Sequence, residues 1–201
     1  IKYFTSKTDC QLCTEVGELL TEISKLHEKV KLEKYESENN PELLEKYKID
    51  KYPAFVVTNK EGFGDRMRFF GIPSGYEFVS LLSAIIEVGT EKVELPEEIL
   101  DTVKNIDKPV HLQVFVTPTC PYCPQAVIIG HKLALLNENV TADMVEATEF
   151  PNLSNKYNVK GVPRVVVNED GYFEGALPEA IYLDSIKKRL SGEKGNLFQQ
   201  G

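Results

Sequence analysis

The chain is short of positive charge, of long apolar runs and of cysteines outside two pairs, and each shortage closes off a class of function. Its 31 Asp and Glu outnumber 23 Lys and Arg, for a formal charge of −8. Phosphate binding needs a clustered basic surface, so nucleic acid is not expected as a partner. A membrane span needs about 20 consecutive apolar residues. The runs at 126–130 and 133–136 are brief and lie inside amphipathic patterns, so no membrane partner is expected. Nor is there a dinucleotide fingerprint: Gly62-Phe63-Gly64 falls in a hairpin, not between a strand and a helix, and no nicotinamide, flavin or other cofactor is expected. No signal peptide is visible, which favours a cytoplasmic location. Ile1 nevertheless opens directly in an apolar run, so residues are expected to be missing upstream.

What the chain does contain is more specific. With 201 residues, 42% of them hydrophobic, it can bury a core as one large domain or two small ones. All four cysteines form two Cys-x-x-Cys pairs, Cys10/Cys13 and Cys120/Cys123, which leaves no structural disulfide framework. Such pairs do redox chemistry or bind metal. A structural zinc needs four ligands brought together, whereas these pairs lie in separate stretches and His27, His111 and His131 show no paired ligand spacing. Redox chemistry is therefore expected, and no metal.

The chain also repeats itself. Cys10 and Cys120, Tyr47 and Tyr157, and Pro53 and Pro163 are each separated by 110 positions. The matching text is Lys46-Tyr47-Lys48-Ile49-Asp50-Lys51-Tyr52-Pro53 against Lys156-Tyr157-Asn158-Val159-Lys160-Gly161-Val162-Pro163, each followed by an apolar run. A β-branched strand at 110–116 leads through Cys-Pro-Tyr-Cys into a helix with Val127, Ile128, His131, Ala134 and Leu135 on one face. A strand at 141–147, a short helix, a hairpin around 168–171 and a helix opening at Pro178 follow. The first half repeats this order: a strand at 3–5, a helix showing Val16, Leu19, Leu20, Ile23 and Leu26, a strand at 30–35, a hairpin after Pro53, and a helix started by a Ser74/Glu77 capping box. Residues 95–107 read as a helix with no counterpart in the first half. The expected architecture is α/β, two tandem units covering 1–90 and 91–201 with a boundary near 89–94, each a mixed sheet flanked by helices.

The first cysteine of each pair is expected at a helix start, where free N–H groups and the positive helix end favour the thiolate that attacks a disulfide. Cys123, one turn inside, would then resolve the mixed disulfide. Pro121 suits the first helical turn. Pro163, before a strand and after a polar loop, is a candidate cis residue opposite Cys120. A cis bond there would leave the Val162 backbone to pair with an extended substrate, and Tyr52 and Pro53 would do the same for Cys10.

Cys120-Pro121-Tyr122-Cys123-Pro124-Gln125-Ala126-Val127, Asp143-Met144-Val145-Glu146-Ala147, and Tyr157-Asn158-Val159 with Val162-Pro163 resemble the protein disulfide oxidoreductases of thermophilic archaea and bacteria, over both halves. The resemblance implies two fused thioredoxin- or glutaredoxin-like folds, a cis-proline beside each Cys-x-x-Cys, and oxidation, reduction or isomerisation of protein disulfides. It implies protein disulfides or dithiols as substrates, and a thioredoxin-reductase-like protein or small thiol as reductant. Cys10-Gln11-Leu12-Cys13 departs from the pattern: it lacks a proline and a central aromatic, and its approach is one residue longer. Asp9 beside Cys10 disfavours a thiolate, so Cys120/Cys123 is expected to be the stronger pair. An alternative is a dithiol carrier dedicated to a peroxidase or flavoprotein, as in alkyl hydroperoxide reductase flavoproteins. That module keeps one cysteine pair, and this chain has two.

Other side chains read more plainly. His131 is expected to be a core histidine with its hydrogen bonds satisfied, and Tyr47 and Tyr157 to be packing residues. Tyr122 is open between packing over the site and touching substrate. Arg164 is open between assisting a thiolate or acidic partner and lying solvated at the surface. The acidic stretches 36–40 and 96–101 read as solvated helix ends.

Overall fold

The computed structural model describes residues 1–8 and 10–192. Asp9, with its expected effect on Cys10, lies outside the described residues. Eight strands and seven helices follow in order: β1 (Lys2–Thr5), α1 (Cys13–Lys25), β2 (Glu33–Glu36), α2 (Pro41–Tyr47), β3 (Ala54–Val56), β4 (Met67–Phe70), α3 (Phe78–Thr90), α4 (Glu97–Lys104), β5 (Val110–Val116), α5 (Cys123–Leu136), β6 (Val140–Glu146), α6 (Pro151–Lys156), β7 (Arg164–Val167), β8 (Gly171–Glu174) and α7 (Glu179–Leu190). Short 3₁₀ turns precede α2 and α3.

The strands form one mixed sheet in the order β2-β1-β3-β4-β6-β5-β7-β8. Each half contributes four strands in the same internal order, with β1/β2 and β5/β6 parallel and the remaining intra-half pairs antiparallel. The repeat predicts a sheet for each half. Instead β4 and β6 pair in parallel, Met67 opposite Ala142 through Phe70 opposite Val145, and fuse the halves into a single sheet. Edge strands present unpaired N–H and C=O groups, and this pairing removes one such edge from each half.

Both faces of the sheet are covered, so strand side chains alternate between two cores. Tyr3, Phe55, Phe69, Val114, Met144 and Val165 point into the core shared with α1, α3, α4, α5 and α7. Their neighbours Phe4, Ala54, Phe70, Phe115, Val145 and Val166 point the other way, toward Tyr47 of α2 and the α6 segment. Burying a side chain of this size contributes roughly 1.5–3 kcal/mol. α3 packs along α5, so the first half also touches the second through helices.

Several local expectations are corrected. Leu26 lies just past α1 and is 73% exposed, so the apolar stripe stops at Ile23. The strand expected at 30–35 is confined to Glu33–Glu36. Ser74 makes no side-chain cap; its carbonyl accepts Glu77 N–H, while the Glu77 carboxyl accepts from Ser80 Oγ at 2.7 Å. The acidic stretch at 36–40 is engaged as well as solvated. Glu38 accepts from Lys7 N and Ser6 Oγ at 3.0 and 3.2 Å, holding the longer approach to Cys10.

Candidate functional site

The C-terminal ends of the parallel strands set out a row of loops. Cys10 follows β1, Pro53 precedes β3, Gly71 follows β4, Glu146 ends β6, Cys120 follows β5 and Pro163 precedes β7. Both cysteine pairs are disulfides with Cα atoms 5.5 Å apart. Helices α1 and α5 start at the second cysteine of each pair, Cys13 and Cys123. The first cysteines therefore occupy the preceding turn, and Cys123 is the first helical residue, not one turn inside. Cys120 N donates to Thr117 O at 3.1 Å and closes a turn that Pro121 and Tyr122 extend; Pro124, not Pro121, takes the early helical position where a missing N–H costs nothing.

The Tyr52-Pro53 and Val162-Pro163 bonds are both cis. Val162 O lies 3.8 Å from Cys120 Sγ, a place where a reduced Cys120 thiol could donate. Pro53 O accepts from Gly71 N at 2.9 Å and Pro163 O from Gly175 N at 3.0 Å, so the two loops are pinned alike. Cys120 is 8% exposed and Cys123 fully buried, while Tyr122 between them is 67% exposed and Pro121 is also exposed. Cys10, Cys13 and Tyr52 are half-buried, and Tyr52 packs against the core around Phe4 and Tyr47.

The surroundings of the two pairs differ in charge. The first turn of α1 carries Glu15, whereas that of α5 carries no acid. An anion there offsets the positive helix end for a nearby thiolate. Beneath the first pair, Tyr3 Oη donates to Cys13 O at 2.5 Å. Burial raises the Tyr3 phenol well above its ordinary range.

Three carboxyls of the site region are buried or half-buried in a way that the sequence does not reveal, although Glu77 matches a capping box by spacing and Glu146 lies in a segment that carries the resemblance. Glu77 sits in the 3₁₀ turn that rests on the loop before Cys120, where Tyr76 N donates to Pro118 O at 3.0 Å. Its carboxyl is buried with Oε1 lacking a partner among the described residues, and burial pushes it up to about 7 despite the Ser80 hydroxyl. Glu146 accepts from Thr148 Oγ1 and Glu149 N through Oε2, leaving a buried Oε1 unpartnered among the described residues. Glu149 accepts from Ile72 N at 2.6 Å. Burial, with help from Glu146 and Glu15, raises Glu149 to about 7 against the pull of that N–H. An acidic residue at the start of a helix or end of a strand gives no sequence sign of such burial.

Other candidates settle into the scaffold. Arg164 is buried: Nε and Nη2 donate to Glu174 Oε1 at 2.8 and 2.6 Å, Nη1 donates to Tyr157 O, and the guanidinium stacks over Tyr172. It is neither solvated nor free to assist a thiolate. His131 is in the core, edge-on to Phe69, but neither ring nitrogen makes a hydrogen bond of good geometry among the described residues, which corrects the expectation of a satisfied histidine. Burial lowers it to about 4, so it is neutral at pH 7. Tyr47 and Tyr157 pack against Phe4 and Phe115.

A groove of about 510 Å³ lies at the opposite ends of the strands, lined by Lys48, Arg68, His111, Asp143 and Tyr157. Arg68 of β4 grips Asp143 of β6 with two bonds of 2.6 and 2.8 Å, and His111 Nε2 lies 2.6 Å from the same carboxylate. Burial opposes the charge, but Arg68 and His111 hold the Asp143 carboxyl well below its ordinary range. The groove is away from both disulfides. Among the described residues no cluster of three His, Cys, Asp or Glu could hold a metal, and no helix is long and apolar enough to cross a membrane.

Residues 110–188 match the model of the thioredoxin domain. Over 92% of this chain and 88% of that one, the structure superposes on the alkylhydroperoxide reductase AhpF of Enterococcus faecalis with a TM-score of 0.86 at 28% identity. A protein disulfide oxidoreductase from Aeropyrum pernix gives the same TM-score at 27% identity over 96% of this chain and 86% of that one. The fold is thioredoxin-like. Among curated sequences, the alkyl hydroperoxide reductase AhpF of Staphylococcus aureus is 29% identical over 88% of this chain. This chain spans about a third of the length of that relative, 32%. The similarity on both counts is to redox proteins, and the chain carries two disulfide-capable Cys-x-x-Cys pairs on a thioredoxin-like fold.

Proposed function

We propose that the chain exchanges dithiols and disulfides with protein partners, reducing, forming or isomerising their disulfides, with 1–90 and 91–201 as two units that each carry one redox pair. The observation that carries this reading is Cys120 set against the Val162 carbonyl beside Pro163, a juxtaposition of sulfur and strand-like backbone that suits an extended substrate. Cys120 attacks the substrate disulfide, displacing one substrate thiolate and forming a mixed disulfide. The buried Cys123 then attacks Cys120 Sγ, closing the intramolecular disulfide and releasing the second substrate thiolate. The substrate gains two electrons and the pair loses two. Cys10 and Cys13 act likewise beside Tyr52 and Pro53. Tyr122 and Pro121, exposed at the rim, contact the substrate. A thioredoxin-reductase-like protein or small thiol restores the dithiols, and the cytoplasm is the proposed setting.

A second reading is favoured by the similarity to the alkyl hydroperoxide reductases, in which this module would be a dithiol carrier for a peroxidase or flavoprotein partner. Insulin reduction and refolding of scrambled ribonuclease distinguish the two. Turnover in both assays supports the general oxidoreductase. Inertness toward both, with rapid transfer to a peroxidase, supports the carrier. In the Cys123→Ser protein, mixed disulfides should accumulate on Cys120; trapping only on Cys123 of the Cys120→Ser protein would reverse the assigned order.

A further inference from the structure

We propose that Glu149, carried by the second half of the chain, is a positioning residue of the first redox pair, and that its charge governs how readily Cys10 becomes a thiolate. This rests on the reading that Cys10 and Cys13 are redox-active.

The geometry ties Glu149 to the first site. Its Oε1 takes Ile72 N–H at 2.6 Å, on the segment whose preceding residue, Gly71, donates to the Pro53 carbonyl. Gly71 has φ +92, and a Cβ added there would come within 2.7 Å of both Glu146 Cβ and Glu149 Oε1. Only a glycine lets the second-half carboxyls approach this wall so closely. Tyr3, which faces Glu149 electrostatically, donates to the Cys13 carbonyl. The ionisable groups facing Glu149 among the described residues are Glu146 from β6, Glu15 from α1 and Tyr3 from β1. No cation is among them. A negative charge here opposes a second negative charge on Cys10, while a protonated Glu149 does not. Its raised titration, near 7, places the change of state within the range where thiols begin to ionise.

The test uses the reduced Cys120→Ser/Cys123→Ser protein, whose only thiols are Cys10 and Cys13. Alkylation of Cys10 by iodoacetamide is followed by mass spectrometry from about pH 5.5 to 9, spanning the carboxyl and thiol ionisations, with and without Glu149→Gln. In the parent, the rate should rise through two ionisations, the carboxyl holding back the thiol above neutrality. Glu149→Gln should leave a single ionisation at lower pH and raise the rate near pH 7.5 by about three- to tenfold, up to the equivalent of one pK unit. Glu149→Asp should keep the two-step profile, and Glu149→Gln in the Cys10→Ser/Cys13→Ser protein should leave the Cys120 profile unmoved. Superimposable parent and Glu149→Gln profiles would overturn the proposal, as would an equal shift at Cys120. If Glu149→Gln does not fold, an Asp variant with a one-step profile overturns it and a two-step profile upholds it. Absence of any reversible dithiol–disulfide couple in the parent instead defeats the underlying reading that the first pair is redox-active.

Discussion

The two disulfides hold equivalent places along one end of the sheet, each followed by a helix and flanked by a cis X-Pro bond, yet their environments diverge. The second pair is buried against Val162 O and opens a helix whose first turn has no acid. The first pair is half-buried and opens a helix with Glu15 in its first turn, and Tyr3, which donates to Cys13 O, senses the second-half carboxyl Glu149. A duplicated backbone therefore does not duplicate its electrostatics. Carboxyl-bearing segments of each half reach the other's loops, Glu149 at Ile72 and the Glu77 turn at Pro118, because β4 and β6 bring the end of one repeat against the middle of the next.

The largest expected effect breaks the body that both sites share. Asp143→Ala leaves the buried Arg68 without its partner and should cost about 3–5 kcal/mol, read from the urea midpoint. An unchanged midpoint would mean that the halves do not rely on this link. The pH sign follows from the depressed carboxyl. Its stabilisation is complete above the unfolded value of 3.8 and is lost as pH falls toward the folded one, so the variant should lose less stability on acidification below that value.

Glu77 gives the next effect and sharpens the contrast on the side of the second pair. Its carboxyl is raised by burial from 4.5 to about 7. Below 4.5 it is protonated in both states. Between 4.5 and about 7 the unfolded chain gives up the proton first, so stability falls as pH rises and stays lowered above that range. Glu77→Gln should remove this cost, on the order of 3 kcal/mol at about 1.4 kcal/mol per pK unit. Melting temperatures at about pH 5 and about pH 8, either side of the shifted titration, should lie closer together in the variant. An unchanged gap would show that the folded Glu77 titrates normally.

A smaller difference separates the pairs in catalysis. A favourable charge near a helix end is worth about 0.3–1 kcal/mol, so Cys120→Ser/Cys123→Ser should slow insulin reduction by about fivefold. Cys10→Ser/Cys13→Ser should slow it by less than about twofold. The reverse ordering would make the more exposed first pair the principal one.

How far the sequence could be read follows from what kind of signal each feature leaves. The offset between Cys10, Pro53 and their counterparts Cys120 and Pro163, together with β-branched runs, foretells the strands, the helices after the cysteines and both cis bonds. These depend on local pattern. The β4–β6 pairing does not, because two strands buried on both faces look alike whether they end a sheet or continue one. The features that hinge on it are likewise silent: the Arg68–Asp143 link, the buried Glu77 in the turn whose Tyr76 meets Pro118, and Glu149 at Ile72. Arg164 is left open between an acidic partner and a solvated surface from sequence for a related reason, since its partner Glu174 lies on the adjacent hairpin strand and no spacing marks a buried ion pair. Ser74 and Glu77 match a capping box by spacing, but a 3₁₀ turn takes the place of the first helical turn.

The smallest effect concerns Tyr122, for which the sequence leaves packing and substrate contact equally open. Its ring is 67% exposed and lies in the turn between a nearly buried sulfur and a fully buried one, so it contributes little to the core. Exposed substitutions away from special features usually change stability by no more than about 0.5 kcal/mol. Tyr122→Ala should therefore leave the melting temperature nearly unchanged. An aromatic side chain that a docked partner covers should matter more to that partner than to the fold, since its apolar area leaves water only on binding. The expected result is a roughly two- to fivefold fall in kcat/KM for insulin, with the alkylation profile of Cys120 unmoved, because the helix and the Val162 carbonyl that surround the sulfur stay in place. The first pair has Gln11 and Leu12 between its cysteines, so Leu12→Tyr in the Cys120→Ser/Cys123→Ser protein tests the same idea from the other side. A gain in insulin turnover there would tie substrate capture to the aromatic, whereas unchanged kcat/KM in both variants would make Tyr122 a spectator.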